Sequence, residues 1–166
     1  MTTSRTAQLL TFLVDNDEYA LDIMRVREIA NPLPVRPIPG APLGLAGVIN
    51  LRQSEVLPVI DLRARFGLPL REEGATRRII VCVVEGRLVG IFVDDVVDVI
   101  DIKIDEIRGG SAIFKGRAAG RFSGICRYEN RLLLLLNLKR LLSTEDRIAI
   151  DTVHEQIGAL DEKEPV

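Results

Sequence analysis

Apolar residues along this chain come in short blocks closed by turn-forming residues, and only near the C-terminus do they repeat at helical spacing. Leu9 to Val14 and Glu18 to Asp22 read as two strands joined at Asp15-Asn16-Asp17, where Asn and Asp tolerate left-handed backbone and bond their own main chain. Ile23 to Ile29, apolar at 23, 26 and 29, fits either a single helical turn or an irregular edge. Asn31 to Pro42 carries five of the chain's eight prolines. Proline cannot donate to a ladder, so this segment is predicted to be an extended edge or loop. The Pro34-x-x-Pro37 spacing is common in loops and does not by itself mark a ligand for another domain.

Leu45 to Leu51 and Glu55 to Leu62 form a second apolar pair, and Arg63 to Leu68 reads as a short helix ended by Gly67. Arg78 to Val84 and Leu88 to Asp94 flank Glu85-Gly86-Arg87, a hairpin signal. Val96 to Ile104 alternates partially with Asp98, Asp101 and Lys103. Gly109 to Gly120 reads as a loop, and a last hairpin over Arg121 to Leu136 turns at Glu129-Asn130. Ten or so short strands predict a mostly β fold, as small barrels or a sandwich. Two sets of about five, split near residue 74 within the polar stretch 70–77, suit two small barrels. Ile150, Val153, Ile157 and Leu160 mark one stripe of an amphipathic helix from Thr144, capped by Ser143 or Thr144.

The 22 Lys and Arg against 24 Asp and Glu give a net charge of −2. A domain so balanced has no basic footprint for nucleic acid. The longest apolar run, Leu132 to Leu136, is far short of the ~20 residues of a membrane span. The N-terminus has no signal-peptide pattern, which makes the cytoplasm the expected location. Cys82 and Cys126 lie in apolar strand sequence and are expected reduced and buried. His154 is expected to be a solvated helix residue. The acidic group Asp94, Asp95, Asp98, Asp101, Asp105 and Glu106 alternates with Val and Ile, as the solvated face of a strand does, and lacks the glycine and asparagine of a calcium loop. Gly109-Gly110-Ser111 with Lys115-Gly116 lacks the order of a phosphate loop. No nucleophile, base and orienting group come together along the sequence, and neither a metal nor a cofactor is called for.

Gly47-Val48-Ile49-Asn50-Leu51-Arg52, followed by Val56-Leu57-Pro58-Val59-Ile60-Asp61-Leu62-Arg63, resembles the signature of the CheW family. Tyr19 to Ile23 with Val26 to Ile29, Val89 to Val96 and Leu132 to Leu142 are similar to further family segments, in order. The resemblance covers about residues 8–144, leaving a tail at 1–7 and a helix with tail at 145–166. It implies two five-stranded SH3-like β-barrels packed together, no catalysis and no cofactor. It also implies an adaptor, monomeric in isolation, between the cytoplasmic tip of a chemoreceptor and the regulatory domain of a CheA-type histidine kinase.

By the same resemblance, Leu10, Ile23, Val26, Ile29 and Val96 line a receptor groove between the subdomains, and Glu28 and Arg52 make polar partner contacts. The family commonly has glycine after the Asn-Leu-Arg triplet, where this chain has Gln53-Ser54. Neither residue favours the positive φ of a tight turn, so a wider or bulged connection is expected. That departure leaves room for a specialised protein binding receptor or kinase but not both. A CheV-like protein or a kinase would need further domains that do not fit this length. A small barrel enzyme and a nucleic-acid-binding barrel are the readings from other classes, the second opposed by acidic pI and few aromatics for base stacking.

Overall fold

The computed structural model describes residues 5–42, 44–52, 55–72, 74–109 and 121–163, with side chains through residue 156. Strands β1 (Thr6–Val14) and β2 (Asp17–Asp22) form the first hairpin, with Asp15 at φ +59°. The Asp22 carboxylate then accepts from the Met24 N–H at 3.0 Å and starts a 3₁₀ turn, Ile23–Arg25, which runs straight into β3 (Val26–Ala30). The segment that fitted a helical turn or an edge is therefore one followed by the other.

Strands β4 (Leu45–Arg52) and β5 (Glu55–Asp61) lead into helix α1 (Leu62–Arg65), followed by β6 (Arg78–Val84), β7 (Arg87–Val93) and β8 (Asp95–Lys103). A two-residue strand β9 (Arg108–Gly109), then β10 (Phe122–Tyr128) and β11 (Arg131–Leu136), precede helices α2 (Leu138–Leu141) and α3 (Thr144–Lys163). The loop expected over Gly109 to Gly120 lies outside the described residues beyond Gly109. Glu85-Gly86 and Glu129-Asn130 all have positive φ, the backbone of two-residue turns that suits the twist of their flanking strands.

The strands divide into a six-stranded sheet, β8-β1-β2-β11-β10-β9, and a five-stranded sheet, β3-β6-β7-β5-β4. The division expected near 70–77 is corrected by this topology. Residues 70–77 link β5 to β6 inside the five-stranded sheet, and the chain changes sheets at the 3₁₀ turn and again at Asp94. The first sheet is thus built from both ends of the chain. Strand sequence shows where a strand lies but not which partner it takes, and here β2 pairs β11 in parallel across more than a hundred residues.

Alternation within each strand sends side chains into three apolar clusters. Leu9, Ala20, Ile100, Cys126 and Leu133 pack together in one, and Ile49, Leu57, Ile79 and Phe92 in another. Their neighbours Leu10, Leu21, Ile60, Ile80 and Ile91 meet in the largest cluster, which draws on both sheets. Strands buried on both faces read as continuous apolar runs, which is why Ile79-Ile80-Val81-Cys82 shows no polar alternation. Tyr19 meets the rings of Phe12, Phe66 and Phe122, and Phe66 meets Phe122, with centroids 5.4–6.1 Å apart.

The five-stranded sheet closes on itself through its proline-rich segment. Arg36 and Val48 exchange backbone hydrogen bonds of 2.8 and 2.9 Å beside Gly47. The two sheets are further tied by Arg63, whose guanidinium reaches from α1 to Asp94 at 2.7 Å and to Asp15 at 3.3 Å. Asp94, expected on a solvated face, is instead 6% exposed at its side chain and also meets Arg71 at 3.0 Å and the Asp15 N–H at 2.7 Å. Asp98, Asp101, Asp105 and Glu106 are exposed.

Candidate functional site

The family-derived groove residues fall on the elements that connect the two sheets and on one edge strand of each. Ile23 begins the 3₁₀ turn, Val26 and Ile29 lie on β3 at the edge of the five-stranded sheet, and Val96 lies on β8 at the edge of the six-stranded one. Ile23, Val26 and Val96 are half-buried and pack on the same inter-sheet cluster. Ile29 is 44% exposed. Leu10 does not reach the surface: it is 1% exposed, because its position on β1 points between the sheets. A contact role for Leu10 is thereby replaced by a supporting one beneath the junction.

Three further apolar side chains, which sequence reasoning left out, extend this surface. Met24 on the 3₁₀ turn is 83% exposed, and Val97 and Val99 on β8 are 43% and 44% exposed. A register shift between Thr11 and Phe12 against β8 leaves Val97 without a partner on β1 and sets Val96 opposite Phe12. Val97 and Val99, two residues apart on β8, are both exposed, while Ile100 is buried on the opposite face. Nothing in the local pattern announces such a bulge.

Beside β3, four charges form a surface cluster. Arg52 on β4 grips Glu28 on β3 through both guanidinium nitrogens, at 2.6 and 3.0 Å, and also reaches Glu55 at 3.2 Å. Arg27 meets Glu55 at 2.8 Å. Hydrogen bonds from Arg27 chiefly hold the Glu55 carboxyl below its ordinary range. The two residues named from the resemblance are therefore partners of each other, across the edge strands of one curled sheet. Gln53 and Ser54 lie outside the described residues, but the ladder leading to them carries a register shift between Asn50 and Arg52.

The signature segment itself is largely internal. Asp61 caps α1 by accepting from the Arg63 N–H at 3.0 Å and binds Arg77 at 2.9 Å, Leu62 is fully buried, and Arg63 ties the sheets. For Asp94, burial alone would raise the carboxyl pKa, but hydrogen bonds from Arg63 and the Asp15 N–H, with the Arg71 charge, hold it below the ordinary range.

Cys82 and Cys126 are both free and buried, as expected, and burial pushes the Cys82 thiol up to about 12. His154 is not a freely solvated side chain: it is part-buried, with Nε2 3.1 Å from the Leu88 carbonyl oxygen. Among the described residues no group of three or more His, Cys, Asp or Glu is placed to hold a metal ion, and no helix is long and apolar enough to cross a membrane.

Apolar side chains on two sheet edges, flanked by an exposed charge cluster and carried on a rigid two-sheet frame, define a protein-interaction module. The chain belongs to the CheW-like domain family, whose description matches residues 8–146. It is 35% identical over 142 residues to the chemotaxis protein CheW of Rhizobium meliloti, covering 86% of this chain and 91% of that protein. It is 33% identical over 138 residues to CheW of Bacillus subtilis, covering 83% and 88%. The crystal structure of the scaffolding protein TtCheW from Thermoanaerobacter tengcongensis superposes with a TM-score of 0.77 at 28% identity, over 86% of this chain and 96% of that one. This is a non-catalytic chemotaxis adaptor of the kind that couples chemoreceptors to the kinase CheA.

Proposed function

We propose that the cytoplasmic tip of a chemoreceptor packs, as an amphipathic helix, on the apolar surface formed by the 3₁₀ turn, β3 and β8. In this reading Ile23, Val26, Ile29 and Val96 are contacts, joined by Met24, Val97 and Val99, while Leu10 supports them from beneath. The charge cluster around Glu28 and Arg52 meets the regulatory domain of the kinase. The adaptor acts in the cytoplasm as a monomer until receptor arrays beneath the membrane recruit it.

The observation that carries this reading is the exposure of large apolar side chains on both edge strands beside the sheet junction. An amphipathic helix laid on such a surface buries its apolar face, a recurring mode of peptide recognition. Each valine covered contributes about 1–2 kcal/mol at ~25 cal/mol per Å². Val26→Glu and Val96→Glu are therefore expected to weaken receptor binding at least tenfold, since ~1.4 kcal/mol is a factor of ten. Because both valines also rest on the core, Ile29→Glu and Val99→Glu are the cleaner probes, with the same expected loss and little change in melting temperature. Unchanged receptor affinity in all four variants sinks the receptor surface. Arg52→Ala should weaken kinase binding while receptor affinity stays, and the reverse pattern would exchange the two assignments.

A further inference from the structure

Independently of that reading, we propose that helix α3 is a releasable strap, which pivots at Asp146 and covers β5 and β7 of the five-stranded sheet beside the β6–β7 turn. The helix leaves the six-stranded sheet through α2 and crosses to the five-stranded one. Its first turn is fixed. Asp146, fully buried, takes two hydrogen bonds from Arg65 of α1, at 2.6 and 2.9 Å. It also exchanges bonds with Ser143, accepting from the Ser143 N–H at 2.7 Å while its own N–H donates to the Ser143 Oγ at 3.1 Å. The reciprocal cap starts the helix, and the Arg65–Asp146 pair ties that start to α1.

Past that point the attachment is different in kind. Among the described side chains from Arg147 to Gln156, Ile150 alone is fully buried. The charged contacts are solvated on both partners: Arg147 with Glu85 at 2.6 Å, and Arg87 with Asp151 at 3.3 Å. Exposed pairs of this sort hold little. The His154 contact to the Leu88 carbonyl adds one hydrogen bond.

Nor is the packing closed. A cleft of about 230 Å³ runs between Arg147, Ile150 and Asp151 of the helix and Val84, Arg87 and Val89 of the hairpin. Helices in proteins draw most of their stability from packing of the apolar face, so release and fraying go together. A second observation agrees with the pivot: the family match ends at residue 146, so the strap begins where the shared domain stops. Opening about Asp146 leaves both sheets intact and bares Val84 and Val89, which are now 8% and 2% exposed.

Amide exchange of the full chain, followed by mass spectrometry, tests this. Amides of residues 147–156 should exchange together, at least 100-fold faster than those of β6 and β7, and Ile150→Ala should speed them a further tenfold without touching the hairpin. A Val89→Cys variant, read against the buried natural cysteines, should take up a thiol reagent at the rate at which the strap opens. Protection of 147–156 equal to that of β6 and β7, loss of hairpin protection in step with the helix in Ile150→Ala, or labelling at position 89 only on global unfolding would each overturn the proposal.

Discussion

Asp94 and Glu28 are both acidic residues bound to arginine, and they differ in what their removal exposes. Asp94 lies almost out of solvent between Arg63 and Arg71, so Asp94→Asn leaves two guanidinium groups facing a neutral amide. Removing one partner of a buried pair costs about 3 kcal/mol or more. In a chain this size that lowers the melting temperature by about 2–4 °C per kcal/mol. A calorimetric shift below about 3 °C would show that the Arg63–Asp94 tie is dispensable. Glu28→Gln, whose pair with Arg52 stands in solvent, should leave the melting temperature nearly unchanged. The cysteines give a second test at this scale. With Cys82 sealed in the inter-sheet cluster and its thiol held protonated by burial, native protein should react slowly with a thiol reagent and release both thiols in denaturant. Fast native labelling of either one contradicts their burial.

Among elements, β4 shows how one residue decides closure. Gly47 has φ +148°, and a Cβ there would stand 2.2 Å from the Arg36 carbonyl oxygen, the acceptor of the bond that closes the five-stranded sheet. Gly47→Ala must displace that backbone, at a cost of about 1–3 kcal/mol. The expected signature is local as well as global: faster amide exchange at Arg36 and Val48 together with a lower melting temperature. Gly109→Ala, with open space around its Cβ, serves as the neutral control. Should both substitutions behave alike, the Arg36–Val48 bridge does not hold the sheet closed.

For the whole molecule, the buried carboxylates Asp94 and Asp146 set the response to acid. Burial would raise each, but hydrogen bonds from Arg63 and Arg65 and from backbone N–H groups leave both below their ordinary value. A carboxyl whose folded pKa lies under its unfolded one (~3.9) stabilises the fold above that unfolded value and loses its contribution as pH falls through the folded one. The melting temperature should therefore hold steady from neutrality to about pH 5 and drop below about pH 4. Asp94→Asn should be less stable at neutral pH and lose less on acidification. A parallel decline of variant and wild type would assign the acid sensitivity to other groups.

Turns and strands were legible along the sequence because they are local. Asp15, Gly86 and Asn130 are residues that positive φ favours, and Ser143 stands where a cap is needed. The signature around Asn50-Leu51-Arg52 and Val59-Ile60-Asp61 carried the family. Pairing was not legible, because apolar runs buried on both faces are interchangeable, so only the folded chain decides that β2 joins β11 and that residues 70–77 stay within one sheet. The same holds for the surface: the alternation that sends Leu10 inward is local, but the bulge that sets Val96 opposite Phe12 exists only against β1. Charge pairs such as Arg63–Asp94 and Arg65–Asp146, 31 and 81 residues apart, depend on tertiary proximity that no sequence spacing encodes.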